Sequence, residues 1–240
     1  MDIIKIFENA DGIAAAALDY VLQAAAESID KNGVFNLVLA GGSTPERLYG
    51  LLAQSDADWS KWQFFLGDER FVPLTDERSN FRLAQKSILN KLSISDEQAH
   101  PVPVDASSVE KAADEYEKHI QNYFKDAGPA FDLILLGMGS DGHTASLFPG
   151  KPALSVTDRS VVASEPGILP PPVDRVTFTF PLINAGRRVL FMAAGQDKAE
   201  AFAQVRQDLK KTPAEAITPA GKVRPDGGEL HWFVDRALAG

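Results

Sequence analysis

Leu37-Val38-Leu39-Ala40 is apolar at every position and runs directly into Gly41-Gly42-Ser43-Thr44-Pro45. A strand with one wet face alternates apolar and polar residues, whereas a strand covered by helices on both faces reads as a continuous apolar run. The same uninterrupted pattern returns at Leu133-Ile134-Leu135-Leu136, again followed by glycines, Gly137 and Gly139. Both runs predict an α/β fold with a mainly parallel, Rossmann-like sheet and helices on both faces. In such sheets ligands collect beyond the carboxyl ends of the strands, so the loops after these strands should carry the chemistry.

Working outward, apolar runs bounded by Gly, Asp or Pro predict strands at Ile3 to Phe7, Phe35 to Ala40, Gln63 to Leu66, Phe131 to Gly137, Ser160 to Ala163, Val176 to Phe180 and Arg188 to Ala193. Between them, Leu18, Val21, Leu22, Ala25 and Ile29 form a helical stripe that Gly33 is placed to stop. A second helix opens with Ser107 and Glu110 as a capping box and carries Val109, Ala113, Tyr116, Ile120 and Tyr123; a third carries Phe202, Val205 and Leu209. No repeat or linker-like shift in composition interrupts residues 1–240, which predicts a single domain.

The chain has 240 residues, 45% of them apolar, and no cysteine. That excludes thiolate zinc sites, iron–sulfur clusters and cysteine nucleophiles, and at this size a core can hold without disulfides. Lys plus Arg number 24 against 33 Asp plus Glu, a net charge of −9, which is the wrong sign for a chain that grips nucleic acid by its phosphates. A small anion could still bind through a local cluster of cations and backbone donors, since surface charges are largely screened beyond ~8 to 10 Å. The start, Met1-Asp2-Ile3-Ile4-Lys5, lacks the regions of a signal peptide, and no apolar run approaches the ~20 residues of a membrane span; the expected location is cytoplasmic.

Three loops stand out. In the first, Pro45 suits the first helical position and Thr44 its cap, and Gly41 and Gly42 permit close approach to a ligand; the string is either a phosphate cradle at a helix N-terminus or a plain strand-to-helix turn. The second, Gly67-Asp68-Glu69-Arg70, follows Phe64-Phe65-Leu66 and reads by itself as a solvated turn with an Asp–Arg pair, although Asp68 could orient hydroxyls and Arg70 could bind an anion in a fork. The third is Gly139-Ser140-Asp141-Gly142-His143-Thr144-Ala145-Ser146-Leu147-Phe148-Pro149. His143, with a carboxylate two residues earlier, has the parts of a general base and its orienting partner. His100, His119 and His231 have no such setting and read as surface or packing residues. Two cations complete the set: Lys198 in the first turn of a helix, where it either points into solvent or meets a bound anion that offsets the unfavourable helix dipole, and Arg175, either a strand-edge arginine or a phosphate ligand.

Taken in order, Gly41 to Pro45, Gly67 to Arg70, Ser79-Asn80, Gly139 to Pro149, Arg175-Val176-Thr177 and Gly195 with Lys198 resemble the 6-phosphogluconolactonase family nearly end to end. The resemblance implies the fold type of glucosamine-6-phosphate deaminase, ribose-5-phosphate isomerase and CoA-transferase. It also implies hydrolysis of 6-phospho-D-glucono-1,5-lactone, without metal or cofactor. On this pattern His143 takes a proton from water and Asp141 orients it. Gly42, Ser43, Thr44, Arg175 and Lys198 hold the 6-phosphate, and Asp68 and Arg70 face the sugar or the developing oxyanion. The expected partner is a small phosphorylated lactone, with neither nucleic acid nor membrane. Leu169 stands where the family often has a lysine, and residues 217–223 are less regular than its pattern. A glucosamine-6-phosphate deaminase would carry a glutamate-bearing segment after its histidine, where this chain has Thr144 to Pro149. A sugar-phosphate sensor of the same fold would usually add a DNA-binding module, and no basic helix is visible.

Overall fold

The computed structural model describes residues 3–92, 94–125, 128, 130–167 and 172–240; Leu169 and Pro170-Pro171 lie outside them. In chain order the elements are β1 (Ile3–Phe7), α1 (Ala10–Asn32), β2 (Phe35–Leu39), α2 (Ser43–Leu52), β3 (Trp62–Leu66), β4 (Asp68–Arg70), α3 (Asn80–Ser87), β5 (Ala99–His100), α4 (Val109–Phe124), β6 (Leu133–Leu136), β7 (Val161–Ser164), β8 (Arg175–Phe178), α5 (Phe180–Asn184), β9 (Arg188–Ala193), α6 (Ala199–Asp208), β10 (Glu229–Asp235) and α7 (Arg236–Ala239). Seven strands form one parallel sheet in the order β1-β10-β9-β6-β2-β3-β5. The fully apolar runs sit at its centre, and every residue of β2 and β6 is buried.

From β2 the chain steps outward to β3 and β5, then returns across the sheet to β6 and proceeds the other way to β9 and β10. The reversal lies between β2 and β6. The loops after those two strands therefore diverge and leave a crevice at the carboxyl edge of the sheet.

Three expectations need correction. Ser160 to Ala163 and Val176 to Phe180 do not join the parallel sheet; they correspond to β7 and β8, which form a separate three-stranded antiparallel sheet with β4. Phe180 already belongs to α5, where Pro181 favours helix over strand. The apolar pattern does not predict the strand β10, which lies between β1 and β9, where only Glu229 of its residues stays exposed. Caps also lie a residue or two from expectation: Ser108 caps α4, its side chain accepting from Lys111 N at 3.3 Å, and Gly42 rather than Thr44 caps α2, which makes Pro45 its third residue and not its first. Gly33 ends α1 as expected, with φ of 77°.

His100, expected at the surface or in packing, is a packing residue. It stacks on Phe65 at 4.1 Å, with Nδ1 2.8 Å from His119 Nε2 and Nε2 2.8 Å from Gln63 Oε1. Burial, and then the neighbouring His119, push its pKa down to about 4. An unfolded chain takes up this proton near pH ~6.5 and the folded one only near 4, so stability falls as the pH drops through that interval. Urea unfolding at pH 7.5 and pH 5 should show a loss of roughly 1–2 kcal/mol that His100→Gln largely removes; an equal loss in the variant would assign the effect to other groups.

Candidate active site

At the carboxyl edge of the sheet lies a cleft of about 350 Å³. Its lining includes all nine residues singled out above: Gly42, Ser43, Thr44, Asp68, Arg70, Asp141, His143, Arg175 and Lys198. They arrive from five separate segments, each held by an identifiable local device.

The floor is set by two buried tyrosines. Where β2 ends, Tyr49 of α2 accepts from Ala40 N at 2.9 Å and donates to Ala40 O at 2.7 Å; where β3 ends, Tyr116 of α4 accepts from Leu66 N and donates to Leu66 O. Both hydroxyls satisfy backbone groups that the sheet has released, and fix the points from which the loops depart. Gly42 takes φ of 107° to turn the chain into α2, and a side chain at Gly41 would collide with Asn80 Oδ1 at 2.0 Å. Because Pro45 has no N–H, the free donors at this helix start are the amides of the preceding residues, Ser43 and Thr44 among them.

The His143 loop is a closed unit. Gly139 N donates to His143 O at 3.0 Å, Gly142 N to Gly139 O at 3.0 Å and Thr144 Oγ1 to Gly137 O at 2.9 Å. The imidazole lies against Gly139 so closely that a Cβ there would come within 2.2 Å of it, and its other face meets Phe148 at 4.6 Å. Asp141 Oδ1 accepts both from His143 N, at 3.0 Å, and from His143 Nδ1, at 2.5 Å. Burial would raise the Asp141 carboxyl, but the hydrogen bonds from His143 outweigh it and hold the group below the usual carboxylate range. An ionised carboxylate accepts only, so the proton sits on Nδ1 and the lone pair on Nε2.

The segment read as a solvated turn, Asp68-Glu69-Arg70, is the strand β4. Alternation along it sends Asp68 and Arg70 to the cleft and Glu69 to the interior, where Glu69 is fully buried. Glu69 accepts four hydrogen bonds, from Arg70 N, Ser79 Oγ, Asn80 N and Phe81 N, at 2.7 to 2.9 Å. Burial pushes its carboxyl up and these four donors pull against that. The expected Asp–Arg ion pair is absent among the described residues. Asp68 instead accepts from Ser146 Oγ at 2.6 Å and from Asn80 Nδ2, and Arg70 donates to Arg78 O.

Arg175 stands opposite Arg70 in the antiparallel register. It is 9% exposed, its guanidinium lies 5.8 Å from the Phe148 ring, and its pKa is lowered first by burial, with Asp68 favouring its charge and Arg70 opposing it. Two guanidinium groups facing each other beside a cleft repel unless an anion lies between or near them. Lys198 enters from another side, following β9 as the N-cap residue of α6. Asn80, Ser146 and Phe148 were quoted only as parts of strings; their place in the site comes from contacts across the fold. Among the described residues no three His, Asp or Glu side chains converge into a metal-binding group.

The family model described as glucosamine-6-phosphate isomerases/6-phosphogluconolactonase matches residues 8–232. The chain is 38% identical over 239 residues to a 6-phosphogluconolactonase of Synechocystis sp., covering 97% of this chain and 95% of that one. It is 37% identical over 245 residues to a probable 6-phosphogluconolactonase 1 of Arabidopsis thaliana, covering 97% of this chain and 91% of that one. The crystal structure of a 6-phosphogluconolactonase from Thermotoga maritima superposes with a TM-score of 0.85 at 32% identity, covering 98% of this chain and all of that one.

Glu69→Gln would turn an amide NH₂ toward donors that now meet a carboxylate oxygen. It should cost roughly 2–4 kcal/mol of stability, read as a lower urea midpoint at unchanged m-value. A midpoint equal to the parent's would show that β4 is not held by this carboxylate.

Proposed function

The chain belongs to the glucosamine-6-phosphate isomerase/6-phosphogluconolactonase family, and on that premise we propose that it hydrolyses 6-phospho-D-glucono-1,5-lactone to 6-phospho-D-gluconate, with His143 as the general base. The observation that carries the assignment of the base is the 2.5 Å contact of His143 Nδ1 with Asp141 in the cleft that also holds Arg175 and Lys198. His143 Nε2 takes a proton from water as the water oxygen bonds to C1 of the lactone. The tetrahedral intermediate collapses with cleavage of the bond from C1 to the ring oxygen, and the imidazolium returns the proton to that oxygen. Asp141 holds the ring and stabilises its charge during the interval.

The phosphate lies with the amides of Gly42, Ser43 and Thr44 and with Arg175 and Lys198; Asp68 and Arg70 meet the sugar or the oxyanion. The two sheets share this cleft, which supports reading residues 1–240 as one working unit acting on a small molecule. No helix among the described residues is long and apolar enough to cross a membrane, and we take the enzyme to work in the cytoplasm.

A lactonase assay with the uncatalysed rate subtracted, run beside a deaminase assay on glucosamine-6-phosphate, tests the reaction. His143→Ala should lower kcat by at least ~10² while leaving affinity for 6-phosphogluconate within a few-fold, and Asp141→Asn should also slow turnover. Full activity in His143→Ala would remove the mechanism.

The cations are tested by deleting the phosphate from the substrate. Lys198→Ala and Arg175→Ala should each raise KM for the phosphorylated lactone, with losses of roughly 1.5–3 kcal/mol. Unphosphorylated glucono-1,5-lactone should be a poor substrate for the parent and lose little more in either variant. Equal proportional losses for both lactones in one variant would move that cation to the reacting carbonyl or to the fold.

A further inference from the structure

Behind the His143 loop, on the side away from the cleft, runs a segment whose residues 211–215 are exposed and whose Ile217 is 67% exposed. Such a stretch would ordinarily be free to drift, yet Ala216, Thr218 and Ala220 turn inward and are buried. The anchor is Asp208, the last residue of α6 and itself fully buried. Its Oδ2 accepts from Thr218 N at 2.8 Å and from Thr218 Oγ1 at 2.7 Å, and its Oδ1 accepts from Gln204 Nε2 at 2.9 Å. Burial alone would raise this carboxyl, but the donors outweigh it and hold it at about 2. Gly221 N then donates to Thr218 Oγ1 at 3.1 Å, and a Cβ at Gly221 would meet both Asp208 and Thr218 at 2.6 Å. The segment is a tightly packed shelf.

That shelf touches one place of consequence. Ala220 N donates to Gly142 O at 3.0 Å, and a Cβ at Gly142 would meet Thr218 Cγ2 at 2.8 Å. Gly142 has φ of 79° and sits between Asp141 and His143. Thr218 and Ala220 are buried and do not line the cleft. We propose that Thr218, held by Asp208, is a positioning residue for His143: its methyl group is the stop against which the Gly142 turn rests, and it fixes the angle at which the imidazole enters the cleft. This rests on His143 being the base. Misplacing a reacting group by as little as 1 Å can cost ~10²-fold in rate, so a contact one residue away from the base is within reach of the chemistry.

The same shelf is tied to α6, whose other end presents Lys198 to the cleft. The helix thus joins a phosphate ligand at its start to the support of the base at its end.

The two groups on Cβ of Thr218 have separate duties, so they can be deleted separately. Thr218→Ser keeps the hydroxyl for Asp208 and removes the methyl from Gly142. It should lower kcat by about 5- to 20-fold with KM within twofold and little change in Tm. Thr218→Val keeps a methyl against Gly142 and takes a donor from Asp208. It should lower Tm by several degrees and keep kcat within twofold of the parent, measured well below its own Tm. Parental kcat in Thr218→Ser, or equal kcat losses in both variants, overturns the proposal. Where Thr218→Val does not fold, imidazole NMR of parent and Thr218→Ser decides: altered His143 ring shifts support the stop and unchanged ones overturn it. His143→Ala in the same assay separates the two readings, since an active His143→Ala enzyme removes the base assignment whatever Thr218 does.

Discussion

The cleft depends on a carboxylate that never touches it. Glu69 lies in the interior with its oxygens divided among Arg70 N, Ser79 Oγ, Asn80 N and Phe81 N. Two of those donors are the first amides of α3, where a negative charge also meets the favourable end of the helix dipole. The carboxylate thereby fixes β4 to α3 and sets the phase of the alternation along β4. With Glu69 turned in, Asp68 and Arg70 must both turn out, toward the cleft. A slip of one residue would bury an arginine and an aspartate and expose the glutamate.

The remaining geometry follows from topology. The large sheet reverses its winding between β2 and β6, which opens a gap at its carboxyl edge. Gly41 to Thr44 occupy one side of the gap and Gly137 to His143 the other. A gap alone would leave the base in open solvent. The small sheet provides the cover: Phe178 N donates to Gly67 O at 2.9 Å, Ser146 N to Thr177 Oγ1 at 3.1 Å, and Arg175 is brought over the Phe148 ring that also borders His143. The Phe148 ring thus packs against both His143 and the buried Arg175.

Strands buried on both faces could be read directly, because Leu37 to Leu39 and Leu133 to Leu136 admit no other environment. The strand β10 could not, since Glu229, His231 and Asp235 break the apolar run, and its burial comes from β1 and β9 on either side and not from its own pattern. The strand β4 was hidden by the same rule in reverse: three charged residues read as a solvated turn, and only the donors of α3, ten or more residues later, make burial of Glu69 tolerable. Site residues within continuous strings, such as Asp141 and His143, were legible because their partners lie two positions apart. Asn80 against Gly41 and Thr218 against Gly142 were not, because each is defined by a contact between segments distant in sequence.

The distribution of charge bears on how so acidic a chain could hold the anionic substrate proposed for it. At −9 overall, the molecule repels a phosphate at long range, but solution salt limits that repulsion to roughly a Debye length. Inside the cleft the balance is more even: Arg70, Arg175 and Lys198 stand with the amide end of α2 against three carboxylates, of which Asp68 accepts from Ser146 and Asn80, Asp141 accepts from His143, and Asp197 lies beside Lys198 in sequence. A δ-lactone also opens without a catalyst, and on the proposed reading the reaction is helped by a general base. It needs one lone pair held at a fixed distance from C1, and binding energy at the far end of the substrate to keep C1 there. On the proposed reading, the cations of one wall hold the phosphate, and the imidazole, fixed by its contacts with Asp141 and Gly139, stands on another, which meets that requirement.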